Sequence, residues 1–247
     1  MRYFLKLAYN GCDFHGWQSQ PNATSVQESI EKALSMVLRE PIAITGAGRT
    51  DAGVNAAMMY AHFDTQSPIK DAKTLVMRLN SILGKDIAIF DILPVHDDAH
   101  ARFDAKARTY KYFVHTEKSP FLYPFSWKST CKLDFDLMNQ AAERLKDYID
   151  FTSFSKLHTD VATNNCRITH ARWEQEGNQW VFTITADRFL RNMVRAIVGT
   201  LVDVGRGKIT VEQFCEIIEK KDRCSAGTSM PGNALFLWNV EYDYIKA

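Results

Sequence analysis

The stretch Gly46-Ala47-Gly48-Arg49-Thr50-Asp51-Ala52-Gly53 places a guanidinium, a hydroxyl and a carboxylate among three glycines. Glycine frees the backbone for left-handed or close-approach conformations, at a cost in chain entropy. An ordinary turn needs one or two such residues. Three of them around Arg49-Thr50-Asp51 describe either a glycine-rich connection whose charges face solvent or a loop shaped to present Arg49 and Asp51 to a ligand. A phosphate-cradling loop is disfavoured, because the Gly-Lys-Ser/Thr ending is absent and no dinucleotide-type βαβ unit surrounds the stretch. A carboxylate flanked by an arginine and a threonine hydroxyl would instead be held ionised and oriented, as a nucleophile or base requires.

Three further constellations could do chemistry. Arg191 and Arg195 lie four residues apart after Asp187-Arg188, a spacing that puts both on one face of a helix. Arg195 stands between Val194 and Ala196 beside an apolar stripe, where an unpaired charge is costly, so it requires an acidic partner; Asp51 is a candidate. In Arg108-Thr109-Tyr110-Lys111-Tyr112, two tyrosines share one face of a strand with bases between them. Rings on such a face stack nucleobases in the RNA-recognition fold, although core or edge packing is the default for at least one of the pair. His96 and His100 have the spacing of helical metal ligands, but Asp97-Asp98 between them and the lack of a third ligand nearby favour a surface loop. No serine sits in a nucleophile elbow.

The elements that must hold these groups follow from periodicity. Tyr3, Leu5, Leu7 and Tyr9 alternate as one face of a strand. Asn10-Gly11 ends it, and Phe14-His15-Gly16-Trp17-Gln18 follows as a loop. Thr24 opens a helix with Gln27 as its capping-box partner; Val26, Ile30, Leu34, Val37 and Leu38 form the stripe, and Pro41 is the stop. Ile42–Thr45 and Ala56–Asp64 read as strands on either side of the glycine loop. A helix from Asp71 to Leu83, with Leu75, Leu79, Ile82 and Leu83 inward and Gly84 as its stop, precedes a strand over Asp86–Val95. This β-α-β-β-α-β order is the ferredoxin-like one.

The second half repeats the order. Thr109–His115 is a strand, and Asp136–Tyr148 a helix with Leu137, Ala141, Leu145 and Tyr148 inward. Ile168–Glu176 and Gln179–Asp187 flank Gly177-Asn178 as a hairpin. An amphipathic helix carries Leu190, Met193, Val194, Ile197, Leu201 and Val204, and Thr210 with Gln213 caps one more. Leu235–Tyr244 is the last strand, while Asp150–Asn165 shows no regular pattern. The expected fold is α+β: two ferredoxin-like (RRM-like) halves, residues 1–102 and 103–247, sharing a mainly antiparallel sheet. Helices would cover one face, and an active-site cleft would lie on the other. The glycine loop then falls at a sheet end, where binding groups on a rigid scaffold concentrate.

The 247 residues suffice for one large domain or two compact ones, and 46% hydrophobic with 24% charged residues is ordinary for a soluble globular protein. A formal net charge of +1 hides local asymmetry. Arg102 to Lys132 holds seven Lys/Arg against two acids, and Asp187 to Lys208 five against two. Basic stretches interleaved with aromatics suit a polyanion with stackable bases. The five cysteines are scattered with no Cys-x-x-Cys pair, against a disulfide framework or a zinc site and for a reducing compartment. With no leader pattern and no apolar run of membrane-spanning length, the cytoplasm is the expected location.

Gly46-Ala47-Gly48-Arg49-Thr50-Asp51-Ala52-Gly53-Val54 closely resembles the catalytic motif of the TruA family of tRNA pseudouridine synthases. Supporting motifs occur in the family's order: Tyr9-Asn10-Gly11, Phe14-His15-Gly16-Trp17-Gln18, Ser25-Val26-Gln27-Glu28, Ala101-Arg102-Phe103, Arg108-Thr109-Tyr110-Lys111-Tyr112, Asp150-Phe151-Thr152-Ser153-Phe154 and Phe189-Leu190-Arg191-Asn192-Met193-Val194-Arg195. One departure is Asn55, where the family usually has histidine; retuned loop contacts rather than lost activity are expected. The resemblance implies an isomerase that converts uridine to pseudouridine at positions 38, 39 and 40 of the tRNA anticodon stem-loop, with no cofactor and no metal. It further implies Asp51 as the essential carboxylate, Tyr110 stacked on the target base, Arg195 paired with Asp51, and Arg49 filling the place of the extruded uridine. Arg102, Lys156 and His158 would contact RNA. The implied partners are tRNA, through its anticodon stem-loop and body, and a second copy of the chain in a homodimer; no membrane is involved. Two other classes share these features: a non-catalytic RNA-binding module and a small-molecule enzyme that binds nucleotide phosphates at the glycine loop.

Overall fold

The computed structural model describes residues 1–21, 23–156 and 163–245. Among them are nine strands, five α-helices and short 3-10 turns, in an α+β fold whose strand pairings are mostly antiparallel. The chain forms two compact units: Met1–Lys106 with Leu237–Ala247, and Ala107–Phe236.

The first unit contains β1 (Arg2–Tyr9), α1 (Val26–Leu38), β2 (Ile44–Gly46), β3 (Asn55–Asp64), α2 (Ala72–Ile82) and β4 (Ile87–Val95). β1 lies between β4 and β3, antiparallel to both, and β2 pairs with β3, which is the ferredoxin-like order. The stretch Asn55–Asp64, whose Ala-Met-Met-Tyr-Ala core also tolerates a helix, is a strand because β1 and β2 flank it and its side chains are buried on both faces. Tyr3, Leu5, Leu7 and Tyr9 are buried as the alternation requires, but Phe4 on the opposite face is also fully buried. Its ring packs against Tyr60, His62, Tyr242 and Tyr244, so the chain after the last strand covers that face. The Tyr242 hydroxyl donates to the Ala101 carbonyl at 2.6 Å and fastens this strap.

The helices of this unit start one residue away from expectation or bury less. Ser25, not Thr24, caps α1 by accepting from the Glu28 N–H, and Gln27 instead donates to Glu31 and to the Ile44 carbonyl. Helix α1 ends because Arg39 turns left-handed, at φ 58°. Asp71 caps α2, where Leu75 and Leu79 are buried but Ile82 is exposed, the helix ending before that turn can reach the core.

The second unit contains β5 (Ala107–His115), the short β6 (Trp127–Lys128), α3 (Phe135–Arg144), β7 (Ile168–Glu176), β8 (Gln179–Ala186), α4 (Met193–Gly205), α5 (Val211–Glu219) and the start of β9 (Leu235–Glu241). β8 lies between β5 and β7, antiparallel to both, and the β7–β8 hairpin turns at Gly177 with φ 59°. In α3 the inward residues are Phe135, Met138, Ala141 and Ala142, followed by Leu145; of the expected stripe Ala141 and Leu145 are buried, Tyr148 is half-buried and Leu137 is exposed. The core centres on Trp173, Phe182 and Tyr112, with Phe135 stacked on Trp180 at 3.9 Å. Each such aromatic contributes about 1.5–3 kcal/mol of burial. Asp150-Phe151-Thr152-Ser153-Phe154 is core rather than loop: Phe151 and Phe154 are fully buried, and the Ser153 hydroxyl donates to the Ile217 carbonyl of α5 at 2.6 Å. Thr210 and Gln213 form the expected capping box of α5.

The expected long helix from Leu190 is shorter. Asn192 takes the left-handed conformation at φ 66°, and α4 begins only at Met193. Arg191 therefore precedes the helix and does not share a helical face with Arg195. Helix α4 is buried nearly all round, and glycines let the chain press against it: a Cβ on Gly199 would lie 1.9 Å from the Thr228 carbonyl oxygen.

Candidate active site

Arg49 and Asp51 stand on the loop that leaves β2 and enters β3. Arg49 is exposed and Asp51 half-buried. The three glycines of this loop do different work. Gly46 is packed tightly, since a Cβ there would meet the Trp17 ring and Met59 at 2.6 Å, and Gly53 adopts φ 75°. Gly48 has open space around its Cβ direction and no positive φ, so the fold itself imposes no glycine there.

The loop is held by the segment after β1. Trp17 donates its backbone N–H to the Thr50 carbonyl at 3.3 Å, Gly53 donates to the Phe14 carbonyl at 3.2 Å, and Gly11 donates to Asn55 Oδ1 at 2.8 Å. The Thr50 and Tyr9 hydroxyls are 2.8 Å apart. Gly16, at φ 91°, passes so close that a Cβ would fall 2.4 Å from the Thr50 carbonyl oxygen; one on Gly11 would fall 2.1 Å from that of Val54. Residues on both sides of Asp51 are thus braced by backbone contacts that only glycine permits. The motifs Tyr9-Asn10-Gly11 and Phe14-His15-Gly16-Trp17-Gln18, whose task is not evident from the residues alone, form this brace. The glycines themselves were the available signal, but the contacts join residues about forty positions apart, beyond local pattern.

In the second unit, Tyr110 on β5 is half-buried and meets the Phe189 ring edge-on at 5.1 Å. Tyr110 pairs in register with Ile184 and Tyr112 with Phe182, so both tyrosines lie on the face that α3 covers through Trp173 and Trp180. Within this unit, then, Tyr110 stands at the open end of the helix-bearing face and not on the helix-free side. Tyr112 is the core member of the pair. It is fully buried, its hydroxyl donates to the Pro231 carbonyl at 3.2 Å, and burial raises its pKa while the Arg195 guanidinium opposes the rise.

Arg195 is half-buried in the first turn of α4. Its Nε donates to the Met230 carbonyl at 2.5 Å, and its own carbonyl accepts from the Met230 N–H at 3.1 Å. The segment carrying Met230 is itself pinned: Asn192 and Arg223 both donate to the Ser229 hydroxyl, at 2.6 and 2.8 Å, and Gly227 donates to Thr200 at 2.9 Å. A guanidinium at the positive end of a helix dipole is electrostatically disfavoured, which makes an anionic partner for Arg195 the more needed.

Arg108, Arg167 and Arg188 meet at Asp187. Arg108 Nη1 donates to the Asp187 carbonyl at 2.7 Å, and the backbone N–H groups of Arg167 and Arg188 donate to the Asp187 carboxylate at 2.8 and 2.7 Å. Lys156, exposed, donates its backbone N–H to the Arg191 carbonyl at 3.1 Å. Arg108 and Arg188 stand in motifs visible in the sequence, but their meeting with Arg167 at Asp187 joins three segments and is not a local pattern. His158 lies outside the described residues. Arg102 belongs to the first unit, exposed, with its guanidinium 5.7 Å from the exposed Phe103 ring. His96 and His100 are on a turn: His96 packs on Tyr244, and His100 Nδ1 accepts from Arg102 and Phe103. Among the described residues no group of three or more His, Cys, Asp or Glu side chains could hold a metal, and no helix is long and apolar enough to cross a membrane.

One unit carries the braced carboxylate loop and the other a half-buried tyrosine, a pinned arginine and basic residues about Asp187; each set is of the kind found in enzymes that handle a polyanion carrying bases. A family model described as tRNA pseudouridine synthase matches residues 141–243. Curated relatives named tRNA pseudouridine synthase A include that of Parabacteroides distasonis, 62% identical across 98% of this chain and 96% of the relative. Those of Bacteroides thetaiotaomicron (60%, 98% of this chain and 90% of the relative) and Bacillus subtilis (39%, 98% and 100%) match as well. The chain belongs to the tRNA pseudouridine synthase A, or TruA, family.

Proposed function

We propose that this chain isomerises uridine to pseudouridine at neighbouring positions of the tRNA anticodon stem-loop, with Asp51 as the essential carboxylate. The observation that supports this most directly is the loop around Asp51, anchored on both sides by the segment after β1. Catalysis by a carboxylate needs such fixed placement, because a displacement of about 1 Å can cost ~10²-fold in rate.

In the reaction the N1–C1′ bond breaks, the uracil turns, and a C5–C1′ bond forms; the proton on C5 is then lost and N1 carries one, so atoms balance with no co-reactant. Asp51 acts on the sugar or the base of the target nucleotide. Arg195, whose Nε donates to the Met230 carbonyl, pairs with the Asp51 carboxylate and orients it. Tyr110, its ring set by Phe189, stacks on the uracil. A paired base must leave the stem before its glycosidic bond is reachable, at a cost of a few kcal/mol, and exposed Arg49 fills the space it vacates. Arg102, Lys156 and His158 contact phosphates, joined by Arg108, Arg167 and Arg188. The enzyme acts in the cytoplasm as a homodimer, with one tRNA touching both subunits. The test is release of tritium from C5-labelled uridine in tRNA. Wild type releases it, and Asp51→Asn binds the same tRNA without release. Tight tRNA binding by a wild type that releases nothing would favour a non-catalytic RNA-binding module.

A further inference from the structure

Asn55 is the first residue of β3, 1% exposed, and its Oδ1 accepts the Gly11 backbone N–H at 2.8 Å. This bond ties the segment after β1 to the chain four residues beyond Asp51. Gly11 is pressed against the Val54 carbonyl so closely that no side chain fits, so the donor cannot turn to another acceptor without moving the segment. The same segment then makes the Phe14–Gly53 and Trp17–Thr50 bonds that flank Asp51. Removing the Asn55 acceptor leaves a buried N–H unsatisfied, which loosens every contact downstream of it.

We propose that Asn55 is a positioning residue for Asp51, and that its amide makes the brace insensitive to acid; this presupposes that Asp51 is the carboxylate that acts on uridine. The required group is an acceptor that points at a buried N–H and never becomes a donor. A histidine can place Nδ1 where the amide oxygen lies, but only as the neutral ring, because protonation turns that nitrogen into a donor facing a donor. Titratable or charged side chains on the adjoining segments are Tyr9, Cys12, Asp13, His15, Arg49, Asp51 and Asp86, the last accepting from Asn10 at 3.1 Å. Their titration is common to wild type and variants and cancels in a ratio to wild type.

The experiment measures kcat and KM for full-length tRNA, together with urea unfolding, between pH 5.5 and 8.5 for wild type, Asn55→Ala and Asn55→His. Asn55→Ala is expected to lose ~10-fold or more in kcat with KM changed less than ~3-fold, since Asp51 is misplaced but the RNA surface is intact. Asn55→His is expected to keep most of its kcat at pH 8. Below ~6.5, the ordinary imidazole value, its folding equilibrium constant relative to wild type should then fall by up to ~10-fold per pH unit, because a buried ring that must accept the Gly11 N–H resists protonation, as His62 does where it accepts the Ala101 N–H. A folding-equilibrium ratio for Asn55→His that stays flat over the whole range overturns the proposal, as does Asn55→Ala with wild-type kcat. Should Asn55→Ala fail to fold, the pH dependence of Asn55→His decides alone. An inactive wild type would instead overturn the assignment of the reaction, so the two failures are distinguishable.

Discussion

Replacing Gly16 by alanine tests the brace at its tightest point. Gly16 sits at φ 91°, a region costing a non-glycine residue about 1–3 kcal/mol. Its new Cβ would also fall 2.4 Å from the Thr50 carbonyl oxygen and 3.2 Å from the Asp51 carbonyl carbon. Both are backbone atoms, so the clash is relieved only by separating the two segments. That separation breaks the Trp17–Thr50 and Gly53–Phe14 bonds, worth about 0.5–1.5 kcal/mol each. The sum is roughly 2–6 kcal/mol of destabilisation, spent either by unfolding earlier or by moving the Asp51 loop. Thermal unfolding should show a loss of at least several degrees. Tritium release from C5-labelled uridine in tRNA should show kcat down ~10²-fold for a displacement near 1 Å. Gly48→Ala is the matched control for stability, because it adds the same methyl into open space on the loop that Gly16 presses against. A Gly16→Ala protein that melts within a degree of wild type and keeps its kcat would refute the brace.

Other perturbations separate core from site. Tyr112→Phe should cost about 1 kcal/mol by removing the bond to Pro231 and leave kcat largely intact, whereas Tyr110→Ala should leave thermal stability nearly unchanged and abolish turnover; the reverse pattern in paired melting and activity assays would exchange their roles. Gly199→Ala drives a methyl to 1.9 Å from the Thr228 carbonyl and should destabilise by about 1–3 kcal/mol, read by denaturant unfolding, while shifting the segment that pins Arg195. His62 is buried with its pKa pulled down from the usual 6.5 to about 4, chiefly by burial and then by His100 and Arg2. Its Nδ1 accepts the Ala101 N–H at 3.1 Å. Because the folded value is the lower one, the unfolded chain binds the extra proton first. Stability is therefore lost as pH falls from ~6.5 towards 4, by at most about 3 kcal/mol, and does not change on this account above pH 7. His62→Asn keeps an acceptor in place and should flatten that part of the stability–pH curve; an unchanged slope would show that His62 does not titrate there.

Much of the architecture was legible because strand alternation and helix stripes are local. The β-α-β-β-α-β order, the Gly177 hairpin and the Thr210 capping box all stand where periodicity and turn chemistry put them. What escaped has physical reasons. Phe4 looked like an outward residue until Tyr242 and Tyr244, some 240 positions away, covered it. The stripe from Leu190 to Val204 runs unbroken in sequence, yet Asn192 at φ 66° stops the helix short of Arg191, and a hydrophobic pattern cannot register one left-handed residue. In α3 only the start of the stripe was misplaced, because Leu137 is apolar yet exposed while Met138 is buried. At the site, Arg49, Thr50 and Asp51 were visible from their types and spacing, but the brace that orders them is made of backbone groups, which no side-chain pattern encodes. Tyr110 and Tyr112 were distinguishable only through Pro231 and Phe189, one far along the chain and the other on the loop before α4.

The central claim, that Asp51 performs the isomerisation, is tested most directly by tritium release from C5-labelled uridine in tRNA with wild type and Asp51→Asn at matched tRNA occupancy. The account predicts release by wild type and none above background from Asp51→Asn, although the variant folds and holds the same tRNA. Sustained release by Asp51→Asn at the wild-type rate would contradict it.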